Sequence, residues 1–285
     1  MGLVRTLIDC DKGAEPELTQ QLRELYDGDL HFHATPAARP LVIANFVSTL
    51  DGVVSYEARG KFGGSDIRGF NAADRFIMGL LRSTADAVIA GARTVDNVSA
   101  NGLWTPEYVY PDAGNFYAEY RANALHKPKY PLLAIVSGSG RLDLERAVFR
   151  SPAMRTVVAT TPAGRDELTR RGVATLGSVE VCALDSSDSG IAPEAILQLL
   201  QSQFGVKTLL HEGGPTLFGR FLAADAIDEL FLTLSPQIAG RNADSTRPAI
   251  VQAVEFAPDS APGFQIISVK ESAAYLYLRY RRLRN

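Results

Sequence analysis

Four stretches of this 285-residue chain place ligand-holding residue types where an apolar, β-branched run gives way to a glycine turn. The fullest is Glu212-Gly213-Gly214-Pro215-Thr216, which follows the apolar run 206–211 and precedes a helical stretch at 217–223. Two glycines let backbone approach a ligand with no Cβ in the way, a proline suits the first helical turn, and the unbonded N–H groups of a helix start attract phosphate oxygens. The pattern describes a pyrophosphate cradle, and equally a tight strand-to-helix connection. The second stretch, Asn45-Phe46-Val47-Ser48-Thr49-Leu50-Asp51-Gly52, ends a strand with a carboxylate. Ligands of open parallel sheets sit beyond the carboxyl ends of the strands, which would put Asp51 in the crevice. Asp-Gly is also a common turn pair. The third, Ala85 to Val95, ends in Gly91-Ala92-Arg93-Thr94, where Arg93 is either a partner for a phosphate on a nucleotide ribose or a solvated turn residue. The fourth, Gly138-Ser139-Gly140, lacks the third glycine of a dinucleotide fingerprint, because Asp143 stands there, and reads as a surface turn.

The elements that must position these turns alternate. Runs at 42–47, 87–90, 132–136, 156–159, 179–183 and 206–211 read as strands. Helices are expected between several of them, at 73–84 with Asn71 as cap and Phe76, Ile77, Leu80 and Leu81 on one face, and at 192–204. That alternation predicts a mostly parallel sheet covered on both sides. Strands at 229–234, 265–269 and 274–280 have no good helix between them and predict an antiparallel edge. Residues 1–38 read as an arm, with Leu18, Leu22 and Leu25 on a helical spacing and then a linker, leaving one domain at 39–285. Within it, 96–130 is an aromatic-rich insert with no clean period beyond a helix near 116–125.

Composition removes other classes. The 29 basic and 32 acidic side chains give a net charge of -3, so no global field favours nucleic acid or an anionic membrane. No apolar run approaches a bilayer span and the start lacks a signal-peptide pattern, so a cytoplasmic protein is expected. Cys10 and Cys182 make no disulfide framework, and His31 and His33 lack the further ligands a metal needs. Arg279, Arg281, Arg282 and Arg284 read as a solvated strand end.

Taken in order, Asn45 to Gly52, Asp74 with Arg82, Ala85 to Val95, and Leu209 to Leu217 resemble the riboflavin-biosynthesis reductases, with further likeness through Ile227-Asp228-Glu229-Leu230 and Ser235 to Gly240. The resemblance implies a dihydrofolate-reductase-like α/β fold with a mostly parallel central sheet and antiparallel C-terminal edge strands. It also implies a homodimer that uses NADPH to deliver hydride to the ribosyl C1′ of a phosphorylated pyrimidine. By the same resemblance Glu212, Gly213, Gly214 and Pro215 would hold the cofactor with Gly91 and Thr94, joined by Thr216 and Arg93 on the reading of the turns themselves, and Asp51 would be the acid, its pKa raised in a dry crevice. Asn45, Ser48 and Thr49 would line the same strand. The insert replaces the family's phosphate-binding stretch after Val95, which leaves Ser65, Arg68, Arg75 and Arg121 as anchors for the substrate phosphate. Neither His-x-Glu nor Pro-Cys-x-x-Cys precedes the domain, so reduction without deamination is expected. Two alternatives stay open: a reductase of another heterocycle such as dihydrofolate, and a non-catalytic nucleotide-binding regulatory protein.

Overall fold

A computed structural model describes residues 2–11, 17–32, 38–58, 64–69, 71–188 and 190–284, so His33 lies outside the described residues, as does the side chain of Arg68. Among the described residues twelve strands are formed: β1 (Arg5–Asp9), β2 (Leu41–Ser48), β3 (Ala87–Gly91), β4 (Leu132–Val136), β5 (Thr156–Thr160), β6 (Val179–Ala183), β7 (Ser186–Ser187), β8 (Gly190–Ile191), β9 (Thr208–His211), β10 (Glu229–Leu234), β11 (Phe264–Ser272) and β12 (Tyr275–Arg282). The helices are α1 (Gln20–Tyr26), α2 (Ser65–Arg68), α3 (Ala72–Thr84), α4 (Ala92–Asn97), α5 (Pro106–Val109), α6 (Gly114–Glu119), α7 (Ala147–Arg150), α8 (Pro162–Arg170), α9 (Pro193–Phe204) and α10 (Pro215–Ala223).

Ten strands make one sheet in the order β1-β11-β12-β10-β2-β9-β3-β4-β5-β6. From β10 to β6 every neighbouring pair is parallel. Beyond β10 the pairing turns antiparallel, through β12 and β11 to β1. β10 is therefore the joint, parallel to β2 and antiparallel to β12.

The central strands read as unbroken apolar runs because both of their faces are covered. Successive residues point to opposite layers. Val88 and Ala90 of β3 join the layer built by α1, α3 and the 96–130 segment, while Ala87 and Ile89 join the layer built by α9 and α10. Asn71 caps α3, its Oδ1 accepting from Asp74 N at 2.8 Å, which satisfies one of the unbonded first-turn amides.

Two regions differ from the sequence expectation. Arg5–Asp9, read as part of an arm, pairs with β11 as an edge strand, and only a half-buried Thr6 interrupts its exposed residues. Segment 96–130 has the helix expected near 116–125 and holds more short helical turns than the sequence pattern showed. It folds as α4, α5, α6 and a π-helical turn at Tyr120–Ala124, with Trp104, Tyr117 and Tyr120 buried. Tyr117 lies under α3, donating to Phe76 O at 2.8 Å, and Gly79 makes room for it, since a Cβ there would sit 2.7 Å from the phenol oxygen. Among the described residues no helix is long and apolar enough to cross a membrane.

Candidate active site

The carboxyl ends of β2, β9, β3 and β4 open into one cavity of about 700 Å³, within the range of small-molecule and cofactor sites. β3 and β9 are parallel neighbours, so the turns that follow them lie side by side, tied by Glu212 N donating to Ile89 O at 3.0 Å. A Cβ on Gly91 would meet nothing within 4 Å, and one on Gly214 only Thr94 Oγ1 at 3.4 Å. Both residues have φ below zero, at -83° and -70°. Neither turn needs glycine for its backbone shape, and the missing side chains leave room on the cavity side instead. Gly213 serves packing, since a Cβ there would lie 2.8 Å from Leu217 Cδ2 and 3.0 Å from His211 Cε1.

α4 and α10 begin in these turns, and both N-terminal ends line the cavity. Unbonded first-turn amides and the positive end of each helix dipole therefore converge on one space. This donor set, with a Cβ-free floor, fits the two phosphates of a dinucleotide.

A buried ion pair fixes the glycine turn. Arg82 on α3 grips the Glu212 carboxylate at two points, Nη2 to Oε2 at 2.6 Å and Nε to Oε1 at 3.0 Å, with both side chains 6% exposed. Its remaining donors reach Leu103 O and Thr105 O, both at 3.3 Å, and its plane lies 5.7 Å from the Trp104 ring centre. One guanidinium thus joins α3, the insert and the glycine turn, in the planar two-point geometry that arginine supplies and lysine does not.

A family profile described as the RibD C-terminal domain matches residues 40–258. The chain belongs to this family. A curated relative, the 2,5-diamino-6-ribosylamino-4(3H)-pyrimidinone 5′-phosphate reductase of Archaeoglobus fulgidus, is 28% identical over 204 residues, covering 71% of this chain and 83% of its own. Among solved structures, RibD of Acinetobacter baumannii superposes with a TM-score of 0.65 at 22% identity over 87% of this chain, which spans 59% of that protein. A pyrimidine reductase-like protein of Corynebacterium diphtheriae gives a TM-score of 0.65 at 20% identity, over 86% of this chain and 93% of that one. The two superpositions speak for the fold.

Within this RibD C-terminal domain chain, the expected cofactor residues Gly91, Arg93, Thr94, Glu212, Gly213, Gly214, Pro215 and Thr216 all line the cavity, as do Asn45 and Ser65. Arg93 is committed elsewhere, its guanidinium exposed and paired with Glu57. Ser48 and Thr49 are buried and are not among the lining residues. Arg75 donates to Val109 O at 2.6 Å and lies outside the lining. Arg121 is buried at the end of α3, donating from Nη1 to Ser83 O at 2.9 Å and Ala85 O at 2.7 Å. It answers the carbonyls that a helix C-terminus leaves open.

Asp51 is not among the lining residues either. Its carboxylate accepts from Thr49 Oγ1 at 2.6 Å, Ala239 N at 3.0 Å and Gly240 N at 2.7 Å. These hydrogen bonds, that of Thr49 foremost, pull its pKa down from 3.8 to about 2. The expected rise is thereby reversed: the group favours its charged form because donors surround it. Gly52 follows at φ +76°, and Thr49 N donates to Val53 O at 2.9 Å, so the motif is a clamped turn.

Three lining residues carry chemistry that the sequence reading did not assign to the site: Asp74, Trp104 and Arg220. Asp74, 6% exposed, stands in the first turn of α3, where an acid is ordinary helix chemistry. Its position within the Asp74–Arg82 motif was the available signal. Glu57 and Glu212, the other carboxylates of the lining, are paired with Arg93 and Arg82.

Proposed function

We propose that this chain is an NADPH-dependent reductase of riboflavin biosynthesis, acting on a phosphorylated ribosylamino-pyrimidine of the kind named for the Archaeoglobus relative. The observation that carries this reading is the pair of Cβ-free helix starts at Gly91 and Gly214, facing one cavity that the buried Asp74 also lines. Gly213 and Gly214 with the first amides of α10, and Thr94 with the first amides of α4, would hold the pyrophosphate. Arg82 holds Glu212 and thereby the shape of the turn. When bound, the nicotinamide supplies hydride to the substrate carbon.

Reduction at C1′ adds one hydride to the carbon of an opened C=N bond and one proton to the neighbouring nitrogen. On this reading Asp74, which lines the cavity, holds a hydrogen bond to that nitrogen-bearing edge and passes the proton. Val54, Met78, Leu103 and Trp104 give this side an apolar wall that keeps bulk water away from the reacting carbon. Asp51 acts by position, holding the turn after β2 against the Ala239-Gly240 backbone. A homodimer and a cytoplasmic location belong to the same proposal.

A specific observation favours the second reading, a heterocycle that carries no phosphate. Among the described residues, the cations of the lining are Arg82, Arg93 and Arg220; the first two are ion-paired and the third belongs to the glycine-turn helix. Among the described residues the rest of the lining offers a phosphate neutral donors, such as Ser65, Asn97, Ser99 and Trp104.

NADPH oxidation measured in parallel with the phosphorylated pyrimidinone ribosylamine and with dihydrofolate separates the two. Turnover of the first, lost at least a hundredfold in Asp74→Asn with NADPH binding retained, is the expected result. Consumption of dihydrofolate alone would move the chain to the second reading, and no turnover of either would remove both.

A further inference from the structure

Arg220 stands on α10, more than a turn past the glycine cradle, and lines the cavity. Among the described residues nothing is paired with its guanidinium: no carboxylate lies within ion-pair distance and no acceptor takes a hydrogen bond from it. The two other cations of the lining are spent, Arg82 on Glu212 and Arg93 on Glu57. Arg220 is also seated. Its guanidinium packs against Gly190 in the β7–β8 hairpin, where a Cβ would overlap Nη1 and would lie 2.7 Å from Nη2. Gly190 has φ +97°, so the hairpin holds a shape other residues rarely adopt, and it leaves the guanidinium its space.

Its location decides which phosphate it would meet. α10 packs through Phe218, Phe221 and Leu222 into the α9 layer, whereas the wall around Asp74 and Trp104 belongs to the α3 layer across the strand ends. Arg220 follows Pro215 by five residues, which is about 7.5 Å along the helix axis. Phosphates held at the helix start would be satisfied there by backbone amides. An anion beside Arg220 is therefore a separate one, farther along the same extended ligand and away from the substrate wall.

We infer that Arg220 is the specificity residue for the 2′-phosphate of the cofactor's adenosine ribose, in place of the exposed and already paired Arg93. The inference rests on the nicotinamide-dinucleotide reading above and adds the residue that tells NADPH from NADH. A fork of donors on a planar guanidinium suits a phosphomonoester, and lysine keeps the charge without the fork.

Binding of NADPH, NADH and adenosine 2′,5′-bisphosphate to the full chain, by fluorescence and calorimetry, tests it. Arg220→Gln is expected to weaken NADPH and the bisphosphate at least tenfold and NADH less than twofold. Arg220→Lys should fall between, and Arg93→Gln should cost NADPH less than threefold. Circular dichroism of each variant confirms that the fold is kept. Equal losses for NADPH and NADH in Arg220→Gln would overturn the inference, as would a selective NADPH loss in Arg93→Gln or a wild type without preference. A raised KM for the phosphorylated pyrimidine with NADPH binding unchanged would overturn it too, placing Arg220 on the substrate. In each of these cases the dinucleotide reading survives, whereas a wild type that binds neither dinucleotide ends that reading itself.

Discussion

His211, the last residue of β9 and the support beneath Gly213, should make this protein acid-sensitive in a way one substitution removes. Its ring is fully buried among Phe46, Phe218 and Phe221, with centroids at 6.4, 5.7 and 5.0 Å. Burial pushes its pKa down from 6.5 to about 4. A histidine that is harder to protonate folded than unfolded leaves stability intact above pH 6.5 and withdraws it as pH falls towards 4, because the unfolded chain takes up the proton first. At about 1.4 kcal/mol for each tenfold change in proton affinity, the loss is about 2 kcal/mol at pH 5 and about 3 kcal/mol below pH 4. Urea denaturation of wild type and His211→Phe at pH 7.5 and pH 5.0 reads it directly. Other titrating groups contribute equally to both proteins, so the variant should lose about 2 kcal/mol less than wild type between the two values. Equal losses would refute the premise that a neutral, water-excluded imidazole carries the glycine turn.

Three further perturbations probe the site and its frame. Gly91→Val puts methyl groups where a Cβ meets nothing within 4 Å, so NADPH affinity measured by calorimetry should fall at least tenfold, with unfolding free energy changed by under about 1 kcal/mol; unchanged affinity would mean the cofactor avoids this turn. Asp51→Asn replaces an acceptor of three hydrogen bonds, which should cost about 1 kcal/mol of stability with kcat/KM within a few-fold of wild type; a hundredfold loss of turnover at unchanged stability would make the carboxylate a participant in the reaction. Arg279→Met takes from Glu229 and Asp11, 2% and 3% exposed, the guanidinium that lies 2.7 Å from each, and leaves Glu229 only the more exposed Arg281 and Asp11 only His31; a loss of about 3 kcal/mol is expected, with faster amide exchange in β1.

What the sequence made legible follows from what each residue is asked to do. The central strands stood out because burial on both faces leaves an unbroken apolar run, as in Ala87–Gly91. Arg5–Asp9 did not, because an edge strand with almost no buried face has no alternation to read. Tyr117 and Arg121 belong to a segment whose order comes from tertiary contacts, a phenol under Gly79 and a guanidinium on the carbonyls that end α3, and neither contact has a local signature. Asp51 looked like an acid in a crevice, but two of its hydrogen-bond donors lie 188 and 189 residues away, at Ala239 and Gly240.

The site divides along the same line. The side proposed for the cofactor is built largely from backbone at Gly91 and Gly214, and backbone that must come close to a ligand has to be glycine, which a sequence displays openly. Its other wall is built from side chains, Asp74, Met78 and Trp104, carried by α3 and a segment that pack on each other. There a carboxylate reads as a helix first turn and an indole as core. The turns can thus stay fixed while the aromatic segment reshapes what lies opposite, and Arg82 is the point where the two are coupled, since it touches Glu212, Leu103 and Thr105 at once. Changes in substrate should therefore be traceable to residues 97–109, and changes in cofactor to the ends of β3 and β9 and the helix that carries Arg220.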